Sequence, residues 1–229
     1  MICPICTFHG EPGPVTASGA RESMLCPWCG CSSRHRAIVT ELETDFDHPR
    51  DAVYQVGWDP LTPFIGARCV ATGAQFMVSE MENRLGCVRV DLEDSRQLPE
   101  DEQGFEIIIC SDVLEHVRLY RLALANLASE LRIGGKLILT VPGAPTPGEH
   151  YEFCHIADPL EPVLDVWDAD TPVHEDPLDV KGCRVYRTYG REKLAAELEE
   201  LGLRAEWRDR FDPECAIVNC AVLVGVKVR

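Results

Sequence analysis

Apolar positions in this chain fall into short runs separated by helix-spaced stripes, and the alternation begins near residue 50. "AVYQVG" (52–57) predicts a first strand, "ARCVAT" (67–72) a second and "GCVRVDL" (86–92) a third. "GFEIIICS" (104–111) is continuously apolar, the mark of a strand covered on both faces. After it, Val117, Tyr120, Leu124, Leu127, Ala128 and Leu131 recur on one helical face, Gly134 and Gly135 end that helix, and "KLILTVP" (136–142) is a fifth strand. "GREKLAAELEELG" (190–202) sets Leu194, Leu198 and Leu201 in register before Gly202, and "LRAEWRDRF" and "CAIVNCAVLVGVKV" supply two further strands. Seven strands with interposed helices predict an α/β doubly wound sheet, whose ligands bind at the carboxyl ends of the central strands. Residues 143–188, rich in Pro, Asp and His, break the pattern and read as a functional insertion or lid.

Composition narrows the setting. A chain of 229 residues has room for one large domain and a small appendage. No apolar run reaches the roughly 20 residues that span a bilayer, and Met1 leads straight to Cys3 without the charged and apolar regions of a signal peptide. The expectation is a cytoplasmic protein without membrane association. A formal net charge of −16 argues against nucleic acid as a partner, because a phosphate-binding surface needs clustered Lys and Arg.

A reducing compartment changes how twelve cysteines are read. Cys69, Cys87, Cys110, Cys183, Cys215 and Cys220 lie in or beside apolar segments and serve as small hydrophobes. Cys3, Cys6, Cys26 and Cys29 differ: they form C-x2-C-x19-C-x2-C, with Pro after the first Cys of each pair. Two short-spaced thiolate pairs suit tetrahedral Zn²⁺, and four filled positions make the site structural. The expected organisation is a zinc-ribbon module over 1–36 and a sheet domain over 37–229 that contains the 143–188 insertion. In "CSSRHRAIVTELE", Ser32 or Ser33 caps a helix with Ile38, Val39 and Leu42 on its apolar face; Arg34 and Arg36 read as a solvated first turn or as an anion contact.

The stretch "FEIIICSDVLEHVRLYRLALANLASELRIGGKLILTVP" (105–142) resembles class I S-adenosylmethionine-dependent methyltransferases, specifically the methyltransferase type 11-like group with D-x-L-E-H-V after strand four and a Gly-Gly turn before strand five. With "CPWCGCSSRHR" upstream, the chain is similar to bacterial methyltransferase-domain proteins that carry an N-terminal zinc ribbon. The resemblance implies a Rossmann-like seven-stranded sheet and a cofactor site. Gly57 matches the glycine that lets backbone approach the methionine part of the cofactor, with Gln55 and Trp58 lining that pocket. Asp91 matches the acid that accepts from the adenine amino group, with Leu92 against the ring, and Cys110 and Ser111 end strand four beneath the sulfonium. Two departures stand out. One glycine survives in a loop that usually has two or three, and the acid that holds the ribose hydroxyls at the end of strand two is missing, "CVATGAQ" offering Thr72 or Gln75.

Methyl transfer from a sulfonium is an in-line displacement that needs positioning, dryness and sometimes a base. His116 at the mouth of the site, and His174 and Glu175 in the insertion, are the catalytic candidates. The implied function is an S-adenosylmethionine-dependent methyltransferase acting on a small molecule or peptide. Two alternatives stay open: a non-catalytic methyltransferase-like binding module, and an RNA or protein methyltransferase guided by the ribbon.

Overall fold

The computed structural model describes residues 1–17, 19–42, 52–81, 84–97, 104–174 and 182–229. Among these, seven strands form one sheet: β1 (Ala52–Val56), β2 (Gln75–Glu80), β3 (Val88–Arg89), β4 (Phe105–Ser111), β5 (Leu131–Thr140), β6 (Leu203–Asp212) and β7 (Ile217–Lys227). Their spatial order is β6-β7-β5-β4-β1-β2-β3. β1 pairs in parallel with both β2 and β4, β4 with β5 and β2 with β3, whereas β7 runs antiparallel between β5 and β6.

The two-residue period of the strands sorts their apolar side chains onto two faces. Val53, Ile107, Ile109, Ile138 and Val222 pack with Ile38 and Leu42 of helix α2 (Ser33–Leu42) and with Ile65 and Cys69 of α3 (Thr62–Thr72). Tyr54, Ile108, Leu137, Leu139 and Leu223 pack against α4 (Tyr120–Glu130) and α5 (Arg191–Glu200) through Leu124, Leu127, Leu194 and Leu198. Helices on both faces make this the Rossmann-like doubly wound architecture expected from the pattern.

The N-terminal segment, with its single short helical turn α1 (Gly19–Glu22), lies against the α2/α3 face, where Cys3, Ile5, Cys26 and Cys31 join the same core. It is tied to the β6–β7 turn: the Ile2 amide donates to Glu214 O at 2.7 Å and the Val218 amide to Ser33 Oγ at 2.8 Å. Arg36, fully buried, donates to Cys31 O (2.7 Å), Met24 O (2.9 Å) and Ala216 O (2.8 Å). The solvated first turn is therefore corrected.

Two other expectations are revised. The segment 67–72 is not a strand but the end of α3, because Leu61, Ile65 and Cys69 place a buried stripe at four-residue spacing and Gly73 closes the helix with φ +79°. Strand two is "QFMVSE", in register with β1 from Ala52↔Gln75 to Val56↔Ser79. Gly134 and Gly135 do not end α4; they lie within β5, where a Cβ on Gly135 would come 2.7 Å from Phe105 O, at an irregularity in the β4–β5 register. The described part of the insertion holds three short antiparallel ladders, pairing 151–152 with 187–188, 154–155 with 166–167, and 173–174 with 183–184. No helix among the described residues is long and apolar enough to cross a membrane.

Candidate active site and cysteine cluster

The sheet order reverses between β1 and β4, so the loops leaving these strands diverge and open a crevice at their carboxyl ends. A cleft of about 330 Å³ lies there, lined among others by Gly57, Glu80, Asp91, Leu92, His116 and Tyr186. Gly57 turns the chain out of β1 with φ +76°, and a Cβ on it would stand 3.2 Å from Val113 Cγ2. Glu80 ends β2 on the far wall and accepts from the Trp58 amide at 2.7 Å, bracing the loop after β1. Asp91 accepts from the Glu93 amide at 2.9 Å. A larger hollow, about 610 Å³, adjoins the cleft through Arg118 and is lined by Tyr120, Glu152, Cys154, Arg187 and Lys193. Its lining holds none of the residues that end β1, β2 or β4, which line the smaller cleft or stand behind it.

Beside the cleft, β4 ends in a charged knot. Asp112 sits in the left-handed region (φ +52°) and accepts from Arg21 at 2.6 and 2.5 Å, with Arg34 Nε at 3.2 Å. Burial alone would raise the Asp112 carboxyl, but Arg34 and Arg21 hold it well below the usual carboxylate range. Both arginines also contact Glu22, and Arg34 reaches Ser111 Oγ. The N-terminal segment thus supplies two cations to the end of β4.

Glu115 follows on a 3-10 turn (Leu114–His116), fully buried, and neither carboxyl oxygen accepts a hydrogen bond from another described residue. Burial, and then the charge of Asp112, push its carboxyl well above the usual range. His116 Nδ1 lies 2.9 Å from Arg184 O, a contact in which only Nδ1–H can donate, which leaves the Nε2 lone pair free in the neutral ring. His174 Nδ1 comes within 3.3 Å of that Nε2, brought there by the ladder of 173–174 with 183–184.

At the other end of the N-terminal segment, the Sγ atoms of Cys3, Cys6, Cys26 and Cys29 lie within 4.8 Å of one another, with Cys3–Cys29 at 3.8 Å and Cys6–Cys26 at 3.6 Å. A tetrahedron of thiolates about 2.3 Å from a zinc ion has edges of about 3.8 Å. The donor set and its spacing fit that ion.

The sequence-derived candidates fall into three groups. Gly57, Asp91, Leu92 and His116 line the cleft, and His174 touches His116. Gln55, Trp58, Cys110 and Ser111 stand behind it: Gln55 is buried and donates to Asp59 at 3.0 Å, Trp58 braces Glu80 by its amide, Cys110 is core, and Ser111 Oγ lies 3.1 Å from Thr140 Oγ1. Thr72 does not belong to the cleft, because it is in the last turn of α3 with its hydroxyl on Arg68 O and Cys69 O. Glu175 lies outside the described residues. Glu80 was missed, and placing strand two correctly finds it: the strand-end acid that "CVATGAQ" lacks is the last residue of "QFMVSE". Arg118 lines both the cleft and the hollow, and Arg187 lines the hollow, yet both guanidinium groups are tied to the protein itself. Arg187 is buried on Glu152, Val117 O and Arg118 O, and Arg118 is locked on Asp165.

Comparison with known proteins agrees with this fold. A family model described as a methyltransferase domain matches residues 40–206. No curated protein matches the chain significantly by sequence. Among solved structures, the chain is similar to a Burkholderia thailandensis 1,6-didemethyltoxoflavin-N1-methyltransferase with bound S-adenosylhomocysteine, at 15% identity and TM-score 0.56 over 86% of this chain and 79% of that one. It is similar to the sugar N-methyltransferase KedS8 from Streptoalloteichus sp. at 12% identity and TM-score 0.52, over 86% of this chain and 87% of that one. The glycopeptide N-methyltransferase MtfA complexed with S-adenosyl-L-methionine matches at 14% identity and TM-score 0.52, over 94% of this chain and 100% of the other. At such identities the likeness is one of fold.

Proposed function

The chain belongs to the methyltransferase-domain family, and from that premise we propose that it transfers a methyl group from S-adenosylmethionine to a small-molecule or peptide acceptor. The observation that carries this reading is the cleft at the β1/β4 reversal, with a glycine turn on one wall and carboxylates at the ends of β2 and β3 on the other. In this reading Gly57 leaves room for the methionine part, Glu80 accepts from the ribose hydroxyls, and Asp91 with Leu92 takes the adenine, all four being residues of the cleft lining. The cofactor supplies the activated methyl group. Glu80, Asp91 and Glu93 give the cleft a negative field suited to a sulfonium cation, and Tyr186 and Val117 close one side against water. The adjoining hollow, with Arg187 and Lys193 on its wall, offers space for an acceptor.

The reading of a non-catalytic module draws on the single glycine after strand one and on the missing strand-two acid; Glu80 speaks against the second ground only. Zinc held by Cys3, Cys6, Cys26 and Cys29 completes the proposal as a structural element of a ribbon module over 1–36, supported by the thiol tetrad.

Titration calorimetry with S-adenosylhomocysteine tests the reading. Binding at micromolar concentration is expected, and no heat at millimolar ligand would overturn it. Glu80→Gln and Asp91→Asn should each weaken binding about 10- to 100-fold, the worth of one hydrogen bond to a charged group at about 1.5–3 kcal/mol.

A further inference from the structure

We propose that Glu115, His116 and His174 form a second divalent-metal site at the mouth of the cleft, separate from the thiol tetrad and open to an oxygen ligand on the methyl acceptor. The acceptor part rests on the methyltransferase reading; the metal part does not.

The argument begins with charge. At the end of β4 the two guanidinium groups of Arg21 and Arg34 face the two carboxylates of Asp112 and Glu22 and are matched by them. Glu115 is the carboxyl left over. It is fully buried and accepts no hydrogen bond from another described residue, a costly state for a group that must be either ionised beside a cation or protonated. The polar groups aimed at it are the imidazoles: His116 Nε2 at 3.9 Å and His174 Nδ1 at 4.0 Å from Glu115 Oε1.

Geometry then favours a shared ion. The three facing atoms form a triangle with sides of 3.3, 3.9 and 4.0 Å. A point equidistant from them lies about 2.2 Å from each, at the upper end of the roughly 2.0–2.2 Å of zinc bonds to imidazole and carboxylate. The contact of His116 Nδ1 with Arg184 O is the outer-shell arrangement that metal-ligating histidines use, fixing the ring and aiming Nε2. Two histidines and one carboxylate suit zinc, iron or manganese and leave positions open. The open side faces the cleft, because His116 lines it and His174 is partly exposed. A hydroxyl or carboxylate oxygen of the acceptor would complete the coordination there. A simple histidine–histidine hydrogen bond would account for the 3.3 Å contact but would leave both oxygens of Glu115 without a partner from another described residue.

The test is cobalt titration of the full chain with its thiol tetrad already loaded with zinc. Metal content and the visible spectrum are followed together. A second ion per chain is expected, with ligand-field bands and no thiolate charge-transfer band. His174→Ala, a partly exposed position that should fold normally, and His116→Ala should each abolish the second ion. Glu115→Gln should weaken it at least about tenfold, the scale on which a lost ligand or its support acts. Overturning results are a stoichiometry that stays at one, or a second ion that survives His174→Ala; the former would leave a hydrogen-bonded histidine pair beside a protonated Glu115. S-adenosylhomocysteine binding measured on the same samples separates the two readings. Cobalt bound without the nucleoside ligand would sink the methyltransferase reading alone, and the converse would sink the metal site alone.

Discussion

Replacing Arg36 with methionine removes a guanidinium while keeping most of its volume, and its effect can be worked from three contacts. Arg36 donates to Cys31 O, Met24 O and Ala216 O at 2.7–2.9 Å, from a fully buried position with no carboxylate among these partners. Each carbonyl loses a charge-assisted bond, worth about 1.5–3 kcal/mol in other proteins, while the variant no longer has to desolvate a cation. The net cost is about 3–5 kcal/mol, the scale seen when one partner of a buried charged network is deleted. In a chain of this size about 1 kcal/mol moves the melting midpoint by about 2–4 °C, so a fall on the order of 10 °C is expected by calorimetry. Arg36→Lys should recover only part of it, because an ammonium cannot span three acceptors as a planar fork does. If the four thiolates hold zinc, the site's net charge is −2 and Arg36, which feels the charges of Cys3, Cys26 and Cys29, is a buried counter-cation for it; the variant should then also surrender zinc to a chelator at lower concentration. A destabilisation under about 1 kcal/mol, with unchanged chelator sensitivity, would refute both the staple and the counter-charge.

Other outcomes follow from the same geometry. Removing metal from the thiol tetrad should loosen residues 1–31 without melting the sheet, read by hydrogen exchange as lost protection at Cys26 and Gly30 amides and retained protection in β4; intact protection throughout would exclude a metal clip. Gly57→Ala should cost about 1–2 kcal/mol, since alanine pays for the left-handed φ and meets Val113, and should weaken S-adenosylhomocysteine binding; unchanged affinity would show that the backbone there does not approach the ligand. Glu197 is raised by burial but lowered more by His150, Arg121 and Tyr120, so its folded pKa lies below the ordinary 4.5. Its stabilising share is therefore complete above pH 4.5 and is lost as pH falls through the folded value. Glu197→Gln should flatten that acid limb in pH-dependent melting, and an unaltered limb would count against the network.

The central strands were legible because burial on both faces leaves a continuous apolar run, as in Phe105–Ser111. The edge was not. In "QFMVSE" only Val78 and Ser79 are buried, so β2 shows no run and no clean alternation. Meanwhile "ARCVAT" is locally rich in β-compatible residues, and the stripe that makes it helical starts upstream at Leu61, across Pro63. That one displacement hid Glu80 and made the cleft look incomplete. The thiol tetrad was legible from spacing alone, because a metal fixes the distance between its ligands. The meeting of His116 with His174 was not, because the two stand 58 positions apart and meet through a two-residue ladder. Arg34 and Arg36 looked solvated because a helix start shows nothing of what will cover it.

The dependence of the N-terminal segment on the β6–β7 turn has a consequence for how the molecule is made. Ile2, Ser33 and Arg36 leave the ribosome well before the groups that seat them, since Glu214 O, the Val218 amide and Ala216 O arrive some 180 or more residues later. Synthesis at about 5–20 residues per second puts that interval on the order of 10–40 s. Through that interval α2 keeps Ile38, Val39 and Leu42 without the β7 side chains that cover them in the finished fold. If the thiol tetrad takes up a metal, that uptake and the synthesis of residues 214–218 run on two separate clocks. A fault at residues 214–218 would surface as a clip that folds on time and has nowhere to land.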